Sequence, residues 1–292
     1  MASIFTPISL DGQAEYLRRF AACPQKASDY SFVNIWGWAE EYGLEWHFGE
    51  HLVWIRQTRP ESVCWAPVGP WTDVDWSRCP VFSASGGRYI RVPELLAEIW
   101  TGAYGGRVDL AETRDHWDYL YDVRELVDLK GNRFHKKKNL LSQFVKKYDH
   151  VYHSMTPDCV EAALDMQLEW LSWRDEESQQ TLAAENRAIT RVLTGWDSLC
   201  GVFGGVIEVE GAQAAYTVAE RLSDDTLVIH FEKGHTHFKG IYQAINQMFL
   251  ASDANGYVFV NREQDLGDPG LRKAKESYNP VGFLRKFEAR VR

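Results

Sequence analysis

The sequence predicts a mixed α/β protein built as two lobes, and three observations lead to this expectation. The chain has 292 residues, which is long for one compact domain and comfortable for two domains of about 140 residues each. Apolar residues make up 45% of the chain, so each lobe has enough material for a core of its own. Segments with the two-residue alternation of strands also alternate with segments that have the spacing of amphipathic helices. We expect the lobes at residues 1–155 and 156–292.

The predicted first lobe begins with short elements. An amphipathic segment covers residues 10–22, and strand-like pieces follow at residues 51–57 and 63–67. Toward the end of this lobe, alternation predicts a strand over residues 118–126. A further strand over residues 150–155 closes the lobe.

A strongly basic helix is predicted over residues 132–148, between those two strands. Residues 130–147 hold seven basic residues and no acidic residue, although the whole chain carries a net charge of −9. One basic strip on an acidic body indicates capture of an anion at one place rather than general coating of nucleic acid. A solvated helix face is the other explanation of the same strip. The basic residues are Lys130, Arg133, Lys136, Lys137, Lys138, Lys146 and Lys147.

The second lobe shows a clearer order of elements. Residues 200–209 and 212–219 alternate as the two arms of a hairpin, and residues 226–232 are rich in β-branched side chains. Pro269 stands in the first turn of the last helix, where proline is well tolerated. The predicted helices are 158–173, 185–193, 239–251 and 269–278, and the predicted strands are 200–209, 212–219, 226–232, 256–261 and 283–291.

The composition also excludes several classes of protein. The sequence has no run of about 18 apolar residues that could span a bilayer, and its first ten residues lack the features of a signal peptide. Its five cysteines are scattered and never form a CxxC pair, so we expect neither disulfides nor a cysteine-based zinc site. The nine histidines show no HExxH spacing, and we expect no metal site. We expect a cytoplasmic protein without an integral membrane segment.

Two short motifs of the second lobe carry the first functional indication. Residues 237–242 (HFKGIY) link a predicted strand to the next helix, and residues 274–283 (AKESYNPVGF) contain Tyr278 midway between an alanine and a glycine. In this order the motifs resemble those of Gcn5-related N-acetyltransferases (GNAT), which have the patterns Arg/Gln-x-x-Gly-x-Gly/Ala and Ala-x-x-x-Tyr-x-x-x-Gly-Phe. The resemblance implies that backbone N–H groups of the loop hold the pyrophosphate of an acyl donor.

Longer segments narrow the resemblance. They are YLYDVREL from residue 119, GNRFHKKKN from residue 131, EKGHTHFKGIYQAINQ from residue 232 and NREQDLGDPGLRKAKESYNP from residue 261. Together they resemble a family of bacterial proteins that share the C-terminal catalytic domain of phosphatidylglycerol lysyltransferases. The resemblance implies two GNAT-like acyltransferase lobes in tandem, each a mixed and mostly antiparallel sheet flanked by helices.

The resemblance also implies roles for individual residues. Tyr278 would be the general acid that protonates the leaving group, and Glu232 would be a base or an anchor for an amine. The loop that holds the phosphate of the donor would consist of His237, Lys239, Gly240 and Tyr242. The anion-binding residues would be Arg133, Lys136, Lys137 and Lys138. The position of Arg262, Glu263 and Asp265 after the end of a predicted strand makes them either pocket residues or members of a buried ion network.

Two departures from the GNAT pattern concern the donor. His237 stands in place of Arg or Gln, and Tyr242 places a ring where a pyrophosphate would approach the backbone. We therefore expect aminoacyl-tRNA as the donor in preference to acetyl-CoA or another acyl-CoA, and no tightly bound cofactor. The expected acceptor is an amine or a hydroxyl, and the expected partner is the acceptor end of a tRNA or a small anionic ligand.

A second class of function fits the same residues. A non-catalytic module could use this fold to bind an anion, a nucleotide or an RNA end, because a fold does not determine a function. Affinity that falls steeply with salt and depends on Lys136, Lys137 and Lys138 would favour that alternative.

Overall fold

The computed structural model describes residues 4–79, 87–172 and 176–292, with their side chains except those of residues 170–172 and 176–181. The chain divides into two compact units. The first unit comprises Met1–Asp118, Gln264–Pro269 and Phe283–Arg292, and the second comprises Tyr119–Glu263 and Gly270–Gly282. The expected lobe boundary after residue 155 falls inside the second unit, because the strand that ends at Ser154 pairs with a strand of that unit.

The elements follow one another along the chain in this way. The strands are β1 (Thr6–Pro7), β2 (Glu45–Phe48), β3 (Val53–Gln57), β4 (Val63–Trp65), β5 (Arg88–Pro93), β6 (Val108–Glu112), β7 (Asp118–Asp122), β8 (His150–Ser154), β9 (Val202–Val209), β10 (Ala212–Arg221), β11 (Thr226–Gly234), β12 (Phe259–Asn261), β13 (Gly282–Leu284) and β14 (Lys286–Val291). The α-helices are α1 (Gln13–Ala21), α2 (Phe32–Gly37), α3 (Ala39–Tyr42), α4 (Glu94–Tyr104), α5 (Val123–Asp128), α6 (His135–Lys147), α7 (Pro157–Ser172), α8 (Glu176–Thr194), α9 (Ile241–Asp253) and α10 (Pro269–Glu276).

The sheet of the first unit has the strand order β1-β2-β3-β4-β5-β14-β6. Only β4 and β5 run parallel among these neighbours, and the other pairs are antiparallel. The core of this unit includes charged side chains. Lys286 Nζ lies 2.6 Å from Asp118 Oδ1 and also contacts Asp29, and all three side chains are fully buried. Opposite charges therefore compensate each other inside this core.

The sheet of the second unit has the order β13-β7-β12-β11-β10-β9-β8. Strands β11 and β12 run parallel, whereas β7–β12, β10–β11, β9–β10 and β8–β9 are antiparallel. Helix α9 covers one face, where Ile241 and Ile245 pack with Ala215 of β10 and Phe249 packs with Leu227 of β11. Both sheets are thus mixed and mostly antiparallel, which confirms the predicted fold class.

Strands β11 and β12 are neighbours over a short distance only. Residues 226–228 of β11 pair with residues 259–261 of β12, and β11 then continues to Gly234 paired with β10. The two parallel strands therefore separate beyond Val228. In α/β sheets, a gap at the carboxyl ends of parallel strands is a common place for a ligand.

A β-bulge redirects the side chains of β11 in this gap. Ile229 pairs with Ala219 and Phe231 pairs with Val218, so His230 is an extra residue on β11. The bulge interrupts the alternation of side chains. As a result, Glu232 points to the same face as Ile229, toward α9.

Some element boundaries differ from the predicted ones. The strand predicted over residues 118–126 ends at Asp122, because Asp122 Oδ1 accepts a hydrogen bond from Glu125 N (2.9 Å) and caps α5. The closing strand predicted over residues 283–291 is divided into β13 and β14. The last residue of the helix predicted over residues 158–173 lies outside the described residues.

Candidate functional site

The carboxylate of Glu232 is the centre of a polar cluster in the second unit. Glu232 Oε1 accepts a hydrogen bond from Arg262 Nη2, and Oε2 accepts one from Asn246 Nδ2, each at 3.0 Å. Only 9% of the Glu232 side chain is exposed. Asn246 belongs to α9 and Arg262 directly follows β12, so the cluster lies where β11 and β12 separate.

Tyr278 belongs to the same cluster. It follows α10 and is buried, and its hydroxyl oxygen accepts a hydrogen bond from Gln243 Nε2 of α9 (3.2 Å). Among the described residues this hydroxyl donates to no acceptor, so its proton is available for donation. Burial raises the pKa of Tyr278 above its ordinary value, and the charge of Arg262, whose guanidinium carbon is 4.9 Å from the ring centroid, opposes part of this rise.

Lys137 differs from its neighbours in the basic strip. Lys136 and Lys138 are exposed, whereas Lys137 is half-buried and its Nζ lies 3.9 Å from the centroid of the Tyr278 ring. Burial lowers the pKa of Lys137 to about 8, and the nearby charge of Arg262 contributes to the decrease. Lys137 is thus part of the cluster around Tyr278 rather than of an exposed strip.

The structure brings together residues that the sequence assigned to three separate roles. Glu232 and Tyr278 were expected in catalysis, Arg262 in a pocket and Lys137 on an anion-binding surface, and they form one cluster. The sequence interpretation did not name Gln243 and Asn246. Their spacing of three residues in a predicted helix, directly after the HFKGIY motif, places both on one helix face and could have indicated them.

The predicted donor loop has a packing role of its own. Gly240 has a φ of +92° at the start of α9, and a Cβ there would lie 2.3 Å from the backbone oxygen of Leu140 in α6. A glycine is therefore required whether or not a phosphate binds. His237 and Lys239 are exposed, and Lys239 N donates a hydrogen bond to Tyr148 Oη at 3.3 Å.

Tyr242 does not project from this loop as a free ring. Its side chain is half-buried and packs on the apolar cluster that contains Ile207, Ala244 and Phe144. Arg133, the first of the predicted anion-binding residues, forms an ion pair with Glu125. Its charge is thus partly compensated, whereas the exposed Lys136 and Lys138 form no ion pair within the part of the chain that the structure describes.

The other predicted pocket residues lie in different surroundings. Glu263 contacts the buried His230, with 2.8 Å between Glu263 Oε1 and His230 Nδ1. His230 Nε2 lies 3.3 Å from Glu220 Oε2. Burial lowers the pKa of His230, but hydrogen bonds to the two carboxylates outweigh that effect and raise it to about 9. Asp265 is buried in the first unit, 3.1 Å from Arg114 Nη1, whereas Glu232 belongs to the second unit.

Metal-binding clusters and membrane-spanning helices are both absent from the described ranges. Residues 4–79, 87–172 and 176–292 contain no group of three or more histidine, cysteine, aspartate or glutamate side chains arranged to hold a metal ion. Over the same ranges, no helix combines the length and the apolar character needed to cross a membrane.

Comparison with solved structures shows which proteins have a similar fold. A protein of Bacteroides thetaiotaomicron with a conserved sequence and unknown function is 27% identical, with a TM-score of 0.89 and 99% of each chain covered. The L-PGS structure from Bacillus licheniformis is 11% identical, with a TM-score of 0.67 over 98% of this chain and 92% of that one. A tandem GNAT protein from the clavulanic acid biosynthesis pathway superimposes with a TM-score of 0.50 at 10% identity, over 98% of each chain. The fold is thus of the type that acyl- and aminoacyltransferases use.

Sequence comparison gives the family. An uncharacterised protein of Mycoplasmoides gallisepticum is 22% identical over 181 residues, which is 60% of this chain but only 56% of that protein. Residues 20–290 match the family described as phosphatidylglycerol lysyltransferase, C-terminal. The match covers nearly the whole chain, which therefore belongs to the family of phosphatidylglycerol lysyltransferase C-terminal domains.

Proposed function

We propose that the protein transfers an activated acyl or aminoacyl group from a carrier to an amine or a hydroxyl, with Glu232, Arg262 and Tyr278 at the reaction centre. One observation carries the proposal. A buried carboxylate and a buried tyrosine hydroxyl with an available proton share one arginine, at the place where parallel strands β11 and β12 separate. Such a pair supplies a proton acceptor and a proton donor to one reaction.

The transfer can be written with these groups in defined roles. The acceptor amine attacks the carbonyl carbon of the donor ester, and the bond from that carbon to the leaving oxygen breaks. Glu232 accepts the proton that the amine loses, and Tyr278 donates its proton to the leaving oxygen. Water then relays the proton from Glu232 to the Tyr278 phenolate, which restores both groups. Most of the acceleration would come from orientation of an already activated ester.

Three observations favour aminoacyl-tRNA as the donor. The chain belongs to the phosphatidylglycerol lysyltransferase C-terminal family. The loop at Gly240 packs closely against the backbone of α6, which explains its glycine without a pyrophosphate. The exposed Lys136 and Lys138 also offer positive charge to the phosphates of an RNA acceptor end. Acyl-CoA is the alternative donor.

The test is a transfer assay with a panel of donors. The protein is incubated with tRNA charged with each of several radiolabelled amino acids, and separately with labelled acetyl-CoA, in the presence of amine and hydroxyl acceptors. We expect transfer from one charged tRNA and a decrease of about 10²–10⁴-fold in the variants Glu232→Gln and Tyr278→Phe. The matched controls are Glu208→Gln, which changes an exposed carboxylate, and Tyr257→Phe, which changes a half-buried tyrosine outside the polar cluster.

The outcomes of this assay test the identity of the donor and the roles of the residues separately. Transfer from acetyl-CoA alone would contradict the tRNA assignment. Transfer at the wild-type rate by both Glu232→Gln and Tyr278→Phe would contradict the catalytic roles. A protein that transfers from no donor in the panel would contradict the proposal as a whole.

A non-catalytic function in binding an RNA end is the second candidate. The observation that favours it is the exposed pair Lys136 and Lys138 on α6, which has no compensating carboxylate among the described residues. In that case, affinity for an RNA hairpin would fall steeply with salt and would decrease in a Lys136→Met, Lys138→Met double variant. Glu232→Gln would bind the hairpin as the wild type does, and no donor would be consumed.

A further inference from the structure

Lys137 is set apart from the rest of the basic helix by its surroundings. Its Nζ faces the ring of Tyr278 at 3.9 Å from the centroid, whereas Lys136 and Lys138 on either side are exposed. Consecutive residues of a helix point about 100° apart, so only one of the three can face the core side. Among the described residues, no carboxylate lies within 4.0 Å of the Lys137 ammonium.

Arg262, which belongs to the same cluster, has one unsatisfied hydrogen-bond donor. Its Nη2 donates to Glu232, but its Nη1 is buried and has no hydrogen-bond partner in the described part of the chain. A buried donor without a partner is rare in folded proteins and needs an explanation. Lys137 Nζ and the guanidinium carbon of Arg262 both lie close to the Tyr278 ring, at 3.9 Å and 4.9 Å from its centroid.

The charges around Tyr278 do not balance. Lys137 and Arg262 are two cations, and within the described part of the chain Glu232 is the one carboxylate that pairs with Arg262, while Lys137 pairs with none. The neighbouring side chains from α9, Gln243 and Asn246, carry no charge. The cluster therefore has an excess of one positive charge in half-buried surroundings, where electrostatic interactions are stronger than in water.

From this imbalance we infer that Lys137 and Arg262 form an anion subsite beside Tyr278 that binds one phosphate ester group of a nucleotide. The subsite is distinct from the exposed lysines of α6 and from the loop at Gly240. The subsite deepens the proposed function. Only the assignment of the bound phosphate to an acyl donor rests on that function. A phosphate next to Tyr278 would place the sugar of a terminal nucleotide, and the acyl group it carries, close to Glu232.

Protonation of Lys137 would be coupled to this binding. Burial and the charge of Arg262 lower the pKa of Lys137 to about 8, so a fraction of the lysine is neutral in the free protein at pH 8.5. The groups that face it are Tyr278 after α10, Arg262 after β12 and, beyond Arg262, Glu232 on β11. A bound anion favours the charged form, so binding at pH 8.5 takes up protons.

The experiment is isothermal titration of the whole protein with adenosine monophosphate (AMP) at pH 7.0 and pH 8.5. Adenosine is the uncharged control ligand, and inorganic phosphate and coenzyme A are separate arms. We expect binding of AMP and phosphate but not of adenosine, with affinity at least about tenfold weaker in Lys137→Met. Lys146→Met, which removes an exposed lysine of the same helix, should bind AMP within about twofold of the wild type.

A charge-conserving variant gives a second and more specific test. Lys137→Arg keeps the positive charge but does not titrate near pH 8, because guanidinium groups stay protonated. At pH 8.5, the binding heat of the wild type should depend on the ionisation enthalpy of the buffer, which measures proton uptake. We expect Lys137→Arg to bind AMP without this dependence. Thermal unfolding of each variant shows that it is folded.

Several results would overturn the inference. They are the absence of AMP and phosphate binding by the wild type, an equal loss in Lys136→Met and Lys137→Met, and wild-type binding by Lys137→Met. A preference for coenzyme A over AMP would assign the same phosphate subsite to a CoA donor. Glu232→Gln distinguishes this inference from the proposed function, since it should lose transfer but bind AMP at least as tightly as the wild type.

Discussion

Arg262 Nη2 lies 3.0 Å from Glu232 Oε1, and this contact joins the segment after β12 to the part of β11 beyond the bulge. Both side chains are largely buried, with 16% of Arg262 and 9% of Glu232 exposed. Strands β11 and β12 no longer exchange backbone hydrogen bonds at this level. At this level the two strands are therefore linked by the ion pair of Glu232 and Arg262 instead of by backbone hydrogen bonds.

Removal of Arg262 is therefore expected to destabilise the second unit as well as the site. In Arg262→Gln, Glu232 keeps Asn246 but loses its cation, and we expect a decrease of about 3 kcal/mol in the free energy of unfolding. The control is Arg221→Gln, which breaks the exposed pair with Asp224 and should change this quantity by less than about 1 kcal/mol. Urea unfolding measures both. Similar values for the two variants would show that the Glu232 pair is not special.

Gly240 offers a test of the loop before α9. Gly240→Ala places a Cβ 2.3 Å from Leu140 O at a φ of +92°, so we expect a loss of about 2–5 kcal/mol from strain and a forced shift of the loop. Gly211→Ala is the matched control, since Gly211 has a φ of +80° but no atom within 4 Å of the added Cβ. It should cost about 1–2 kcal/mol. Equal losses in urea unfolding would show that the approach to α6 is unimportant.

The order of elements was accessible from the sequence because it depends on local patterns. Strand alternation and helical spacing predicted the hairpin of β9 and β10, and α9 with its preceding loop. The division into units was not accessible in the same way. Strand β14 pairs with β5 almost two hundred residues earlier, and no local pattern records which distant strands become neighbours.

The site was predicted in parts for a similar reason. Tyr278 and Glu232 could be named because motifs and strand ends mark them. The burial of Lys137 could not be predicted, because three consecutive lysines have the same character and the rotation of α6 decides which one faces Tyr278. No local sequence pattern predicts the bulge at His230 either, although the bulge determines the direction of the Glu232 side chain.

His230 is expected to make stability dependent on alkaline pH. Its pKa is raised from 6.5 to about 9 by Glu220 and Glu263, so its contribution is fully present below about pH 6.5 and is lost as the pH rises through 9. The shift corresponds to roughly 3 kcal/mol. We expect the free energy of unfolding of the wild type, relative to His230→Gln, to decrease over this range.

The control for this pH dependence is the exposed pair of His153 and Glu208. His153 Nε2 lies 3.2 Å from Glu208 Oε1, but 37% and 42% of the two side chains are exposed. Urea unfolding of His153→Gln between pH 6 and 9.5 should run parallel to the wild type, because solvent screens the interaction. A constant difference between the wild type and His230→Gln over this range would mean that His230 does not titrate there.

The buried charges of the first unit predict a matching effect in acid. Burial alone would raise the pKa of Asp29, but Lys286 and Arg91 outweigh it and lower the pKa to about 2. Asp29 therefore contributes stability above its unfolded pKa of about 3.9, and this contribution is lost as the pH falls through 2.

Lys286→Met leaves Asp29 and Asp118 with less positive charge, so we expect a loss of about 3–5 kcal/mol in the free energy of unfolding at pH 7 and acid unfolding at a higher pH. Arg290→Met on the same strand removes an exposed cation and should leave the acid midpoint unchanged, whereas an equal shift in both variants would point to net charge as the cause.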